Sequence, residues 1–368
     1  MKSSTGKYYI GLDHIRAIAA FMTFTWHFNH VHDGHLAPPP VFPLSLLSEG
    51  HTGVALFMTL SGYLFAKLLD GRRVNYSSFL WNRVLRLVPL LLFVFVIVGI
   101  KEYLYNAAEP LDYCRRILTG LVKPVWPNGG WSIAVEFHFY LLLPFLLYLS
   151  RRSASLLCLS IVAMLFLRTA WYLDMGGVQT LSYFTIIGRV DQFIWGVLGY
   201  QFRNVFKGRH FLALVVFLVF SGFYWYVDSL GGFYSDAPRP SRSSVWIYMT
   251  TIEGLAYGAL IAWYDRSFMH STGPVSRFFA LIGTYSYSIY LLHFLLVFRF
   301  ARFIDQYLID LSNIHIALLV SPAAFLLMIP VGWASYRFIE SPFLKFRTNY
   351  LKADEAPSNL DRRMDVST

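Results

Sequence analysis

His27, Glu136, Arg83 and Arg86 are the residues whose types and settings could carry chemistry in this chain. His27 lies near the end of the stretch GLDHIRAIAAFMTFTWHFNHVHDGH, Gly11 to His35, which is long and apolar enough to cross a bilayer. Asp13, His14 and Arg16 lie towards its other end. An ionisable group at mid-bilayer costs about 2.5 to 3.5 kcal/mol on insertion scales, so such groups normally face a protein interior and act there. At roughly 100° per residue, Asp13, Arg16 and His27 fall within about 60° of one another, with Arg16 and His27 about 16 Å apart along the axis. One helix then shows its neighbours a polar stripe that ends in an imidazole titrating near neutrality.

A second stripe follows in WSIAVEFHFYLLLP, where Ser132, Glu136 and Tyr140 are spaced i, i+4, i+8 behind Trp131. A lone carboxylate in an apolar helix must be paired or protonated. Glu136 has the same depth as His27, so the two could meet. In DGRRVNYSSFLWNRVLRLVP, Arg83 and Arg86 share one helix face at i, i+3. Paired guanidinium forks suit phosphate oxygens, although such arginines can also simply fix orientation.

Ser61, one turn after Phe57 and directly before Gly62, reads either as an intramembrane nucleophile or as a small residue that lets helices approach; the second is commoner. His27, His30, His32 and His35 with Asp33 suggest a metal site. Membrane di-iron centres need several histidine clusters on different segments, and the other histidines are scattered singly, so no metal is assigned. His293 and Glu340 read as structural groups near helix ends, and Tyr290 as interfacial packing.

The elements that must hold these groups are transmembrane helices. Of 368 residues, 56% are hydrophobic, 18% aromatic and only 14% charged, with mean hydropathy +0.48; charged residues approach about a quarter of soluble domains. Ten apolar spans are predicted, at about 10 to 29, 51 to 69, 87 to 104, 131 to 149, 154 to 173, 184 to 202, 210 to 228, 245 to 264, 278 to 297 and 315 to 337. The fold class is all-α, a polytopic bundle with both termini on one side. Placing that side in the cytoplasm gives inner segments about 20 Lys and Arg against about 10 outside. The net charge of +10 therefore follows membrane orientation, and nucleic acid is not an expected partner. One membrane domain covers 1–351, and a polar tail at 352–368 is expected to be disordered and cytoplasmic. No cleavable signal peptide is evident, and no internal repeat argues for an inverted-topology transporter. Cys114, in a loop, and Cys158, in an apolar run, do not suggest a disulfide.

Taken in order, LDHIRAIAAFMTFTWHF, GVALFMTLSGYLF, NRVLRLVP, WSIAVEFHFYLLLP, GRVDQFIWGVLG, SYSIYLLHF and YRFIESPF resemble the membrane acyltransferase 3 family over about Leu12 to Phe343. That family transfers acyl groups, often acetyl from acetyl-CoA, to hydroxyls of exported or cell-surface glycans and related acceptors. The resemblance implies catalytic roles for His27, Glu136 and Asp13. It implies acyl-donor binding by Arg16, Arg83, Arg86 and Ser61, and acceptor binding or support by Trp131, Ser132 and Tyr140. His14 stands where glycine is common and Met58 where a second phenylalanine is common, departures that bear on donor fit. Some relatives carry an added extracytoplasmic esterase-like domain; this chain is too short for one, so an acceptor relay would need a separate partner.

The expectation is an inner-membrane, multi-pass O-acyltransferase with acetyl-CoA or another acyl-CoA as co-substrate, a carbohydrate or glycolipid acceptor, and no permanently bound cofactor. Arg83 and Arg86 would hold the CoA phosphates while the pantetheine arm, on the order of 15 to 20 Å long, enters the bundle. His27 would act as general base or transiently carry the acyl group, and Glu136 would orient His27 or bind the sugar. Asp13, three to four turns from His27, should pair with Arg16. The competing classes are a solute or proton-coupled transporter and a non-catalytic scaffold.

Overall fold

The structure, a computed structural model, describes residues 8–30, 41–106, 109–234 and 240–351. The tail at 352–368, and the metal candidates His32, Asp33 and His35, lie outside the described residues. Ten long helices organise the rest. They are α1 (Ile10–Asn29), α2 (Gly53–Leu69), α3 (Tyr76–Asn106), α4 (Trp131–Arg152) and α5 (Ala154–Met175), then α6 (Ile186–Gln201), α7 (His210–Ser229), α8 (Met249–Ser267), α9 (Pro274–Tyr307) and the broken α10 (Ile314–Leu344). Each predicted span falls on one of them. Among the described residues the only strand-like pairing is an isolated antiparallel bridge between Val74 and Leu351.

Seven of these helices, α2, α3, α4, α5, α7, α9 and α10, are long and apolar enough to cross a membrane. The other three predicted spans fall short of that measure. Helix α6 has 16 residues, and α1, α6 and α8 carry buried Asp13, Arg189, Asp191 and Glu253. Their polarity is tolerated because they lie inside: α1 runs along α9, and α6 is held between α2 and α8. Apolar α5 and α7 form an outer layer with Leu159, Phe166, Phe211 and Val219 exposed. Polar helices in the centre and apolar ones outside are what a lipid solvent selects.

Close approach at the centre depends on glycine. A Cβ on Gly196 of α6 would sit 2.0 Å from the Thr59 carbonyl oxygen of α2, and one on Gly62 of α2 would sit 2.1 Å from the Phe193 carbonyl oxygen of α6. The two glycines are therefore reciprocal halves of one crossing. Ser61-Gly62 thus divides its work, with Gly62 packing and Ser61 free to face elsewhere. Proline gaps are closed by side chains. Pro144 in α4 leaves the Tyr140 carbonyl without its helical donor, and the Tyr76 hydroxyl donates to it at 2.7 Å. Pro322 likewise frees Leu318, whose carbonyl accepts from Ser321 Oγ at 3.1 Å.

The interior of the second half is closed by paired charges. Arg168 on α5 donates to Asp191 on α6 at 2.7 Å. Arg189 lies 3.5 Å from Glu253 of α8, which also accepts from Gln192 at 2.7 Å and Tyr224 at 2.5 Å. Asp191 also accepts from the Thr251 hydroxyl. Buried charges survive only in such company.

Candidate active site

A cavity of about 120 Å³ opens between α1, α2, α3, α4, α6 and α9. Its walls carry Arg16, Ser61, Arg83, Arg86, Ser132, Glu136 and Tyr140, so seven residues singled out in the sequence from four helices converge on one space. The i, i+4, i+8 spacing of Ser132, Glu136 and Tyr140 brings all three to this face of α4. Apolar Phe57, Met58, Phe65 and Phe193 fill between them.

Most of the polar wall residues are held. The Tyr140 hydroxyl donates to Glu136 Oε1, and Ser61 Oγ lies 3.5 Å from the same oxygen. The Arg83 guanidinium is 5.3 Å from the Phe65 ring centre and 5.4 Å from that of Phe79 one turn earlier, a cation–π setting that aims it without an anionic partner. Arg16 pairs with Asp13 one turn before it. Asp13 itself does not line the cavity, and its backbone packs on Gly283 of α9.

At the opposite end, the turn Pro127 to Gly130 puts Asn128 and Gly129 at φ 54° and 73°. It presents the Gly129 carbonyl to two hydroxyls, Ser132 Oγ at 2.9 Å and Tyr290 at 3.1 Å. Ser132 and Tyr290 are themselves 2.8 Å apart. Tyr290 is therefore part of the cavity wall, not interfacial packing.

His27 stands outside this wall. Its ring is half-buried against α9, with ring centres 4.7 Å from Phe294, 5.1 Å from His293 and 5.8 Å from Phe298, and Trp26 packs beside it at 4.5 Å. The expected meeting with Glu136 does not occur among the described residues. Helix α4 turns Glu136 towards α2, whereas α1 turns His27 towards α9. What lies between is α9 itself: Tyr290 lines the cavity and His293, one turn later, touches His27.

His293 is thus neither terminal nor incidental; it is buried within the 34-residue α9. Its Nδ1 bonds the Tyr290 carbonyl. A carbonyl can only accept, so Nδ1 carries the proton and Nε2 is the lone-pair nitrogen. That Nε2 is buried without a hydrogen-bond partner among the described residues. Glu340 lies near the end of the broken α10, as its position suggests. It is buried, accepts from the Ser288 hydroxyl, and feels the charge of Arg86. Histidine and tyrosine three apart in an apolar run were the available signal for the first, and a carboxylate inside FIESPF for the second.

Trp131 faces away from the cavity. The Arg189 guanidinium lies 5.6 Å from its ring centre and 4.2 Å from that of Tyr183, so Trp131 braces the start of α4 against the charged interior. The Arg168 and Arg189 ion pairs line no part of the cavity. Among the described residues no cluster of His, Cys, Asp and Glu could hold a metal ion.

Comparison with known proteins gives a family model, described as an acyltransferase domain, that matches residues 9–337. Two curated relatives are named O-acetyltransferase OatA, from Staphylococcus aureus strain NCTC 8325 / PS 47 and strain COL. Each is 24% identical over 94% of this chain. The chain spans 58% of the length of these relatives. No solved structure matches it.

Proposed function

Because the chain belongs to the membrane acyltransferase 3 family, we propose that it is an integral O-acyltransferase of the inner membrane. It moves an acyl group, acetyl above all, from cytoplasmic acyl-CoA to a hydroxyl of a glycan or glycolipid acceptor. The observation that carries this reading is one cavity joining an arginine pair to a row of hydroxyls and a carboxylate, whose wall residue Tyr290 packs on His293, the neighbour of His27. Phosphates bind at Arg83 and Arg86, and the thioester end of the pantetheine arm passes Ser61 and Glu136 towards Tyr290.

In the transfer, the acceptor hydroxyl gives its proton to His27 as its oxygen forms a bond to the thioester carbonyl carbon. The carbon–sulfur bond breaks, and the CoA thiolate takes that proton back from His27 to leave as the thiol. Donation by Ser132 or Tyr290 to the carbonyl oxygen steadies the negative charge that develops there. His293, with Nε2 free to accept, orients the His27 ring or shares its proton. The arm must pass the cavity wall to reach His27, because that ring lines no part of the cavity and meets it only through His293, which packs on the wall residue Tyr290. Both termini lie in the cytoplasm in this arrangement.

Purified protein in nanodiscs, supplied with acetyl-CoA and a surface glycan extract, should release free CoA thiol only when acceptor is present. Mass spectrometry should find a matching acetyl ester on the glycan. Solute flux into liposomes with the thioester left intact would overturn the reading in favour of transport.

A further inference from the structure

After α10 the chain turns back across the start of α3 and is tied there. Asn82, fully buried, donates from Nδ2 to the Thr348 carbonyl at 2.6 Å and accepts from the Thr348 N–H at 3.0 Å. The Asn75 N–H donates to the Tyr350 carbonyl at 2.8 Å, Val74 bridges to Leu351, and the buried Tyr350 ring meets Phe79 edge-on at 5.5 Å. The residue beside Thr348 is Arg347, and the residue beside Asn82 is Arg83. The strap thereby brings a guanidinium from the far end of the sequence to Arg83 and Arg86.

Three like charges are normally kept apart or neutralised. Here they are held together. None of Arg83, Arg86 and Arg347 makes an ion pair among the described residues, and the Nε atoms of Arg83 and Arg347 are buried without a hydrogen-bond partner. Two carboxylates stand within electrostatic reach, Glu136 and Glu340. They can offset at most two of the three guanidinium groups, while Arg16 is already matched by Asp13. At least one positive charge remains over, beside the stretch of cavity wall that Arg83 and Arg86 form. Burial, and then repulsion from Arg86 and Arg83, push the Arg347 guanidinium down to about 9, still charged at neutral pH. An arrangement that holds strained like charges in fixed positions is stabilised by an anion that bridges them.

We propose that Arg347 is a third phosphate-binding residue of the donor site, completing with Arg83 and Arg86 a basic mouth for a ligand bearing several phosphates. The inference rests on the acyl-CoA reading above and identifies a residue for the nucleotide end. A thioester donor of that kind carries both a diphosphate and a separate ribose phosphate, more anionic oxygens than two arginines can engage. The C-terminal strap is then part of the site, because it alone positions Arg347.

The test measures binding of CoA, and of pantetheine, which lacks phosphates, to the full chain in nanodiscs of zwitterionic lipid. Arg347→Met keeps the half-buried stem, and should weaken CoA binding at least tenfold while pantetheine binding stays unchanged. Arg347→Lys, which keeps the charge, should stay within threefold of the wild type. Wild-type affinity for CoA in R347M, or an equal loss for CoA and pantetheine, would overturn the proposal. Should R347M not fold, Asn82→Ala unties the strap with every arginine kept. A tenfold loss of CoA affinity there supports the assignment, and unchanged affinity overturns it. A wild-type protein that binds no CoA would instead sink the acyl-CoA reading itself, and this inference with it.

Discussion

The rings of His27 on α1 and His293 on α9 stand 5.1 Å apart between centres, and the Tyr290 carbonyl fixes the Nδ1 proton of His293. The pair joins the two helices that pack most extensively on each other to the wall of the cavity. Replacing His27 with Ala should lower acyl transfer roughly 10²- to 10⁴-fold, the usual worth of a general base, without loss of membrane insertion. Asparagine at 293 retains a donor for the Tyr290 carbonyl but removes Nε2. It should reduce kcat roughly tenfold and leave the donor KM unmoved, a split that steady-state kinetics reads directly.

The arginine pair predicts the opposite split. Hydrogen bonds to charged groups contribute about 1.5 to 3 kcal/mol each. Substituting Arg83 and Arg86 together with Gln should raise the donor KM roughly 10²- to 10⁴-fold, the sum of two such contributions, with a smaller change in kcat. An unaltered donor KM in the double variant would remove the phosphate clamp from the mechanism.

Helix approach makes a stability prediction. A methyl group on Gly196 would lie 2.0 Å from the Thr59 carbonyl oxygen, so Gly196→Ala must part α2 from α6 at a cost of about 1 to 3 kcal/mol. Gly222 of α7 has open space where its Cβ would be. Thermal unfolding in detergent should show a lowered midpoint for G196A and none for G222A.

Glu49, just before α2, gives a pH dependence. Its Oε2 accepts the Phe233 N–H at 2.9 Å, and burial holds its carboxyl up to about 7, an effect that His30 and that hydrogen bond only partly offset. The folded protein therefore binds this proton more tightly than the unfolded chain does. The stability it confers is fully present below the ordinary carboxyl range of about 4.3 and is lost as pH rises through about 7. Glu49→Gln keeps an acceptor for Phe233, and should flatten the fall in thermal midpoint between those limits.

Several features were legible without coordinates because they are local. Helical spacing alone brought Ser132, Glu136 and Tyr140 to one face, and Asp13 next to Arg16. Long apolar runs located all ten helices. Other features depended on which neighbour each helix chose. Equal depth suggested that Glu136 meets His27, but depth carries no azimuth, and α4 and α1 turn these groups to different partners. Trp131, adjacent to Ser132, points the other way and stacks near Arg189 instead.

The sequence by itself determined that this is a helical membrane protein, that its ionisable groups gather on a few helix faces, and which family it resembles. These follow from hydropathy, periodicity and residue type, which need no long-range contact. Tertiary structure alone decided that His293 is the neighbour of His27, that Tyr290 lines the cavity, and that the strap bearing Arg347 is tied beside Arg83 across a separation of more than two hundred residues. Such pairings depend on helix rotation and on glycine-permitted approach, which are set by the packing of the whole bundle and not by any one segment.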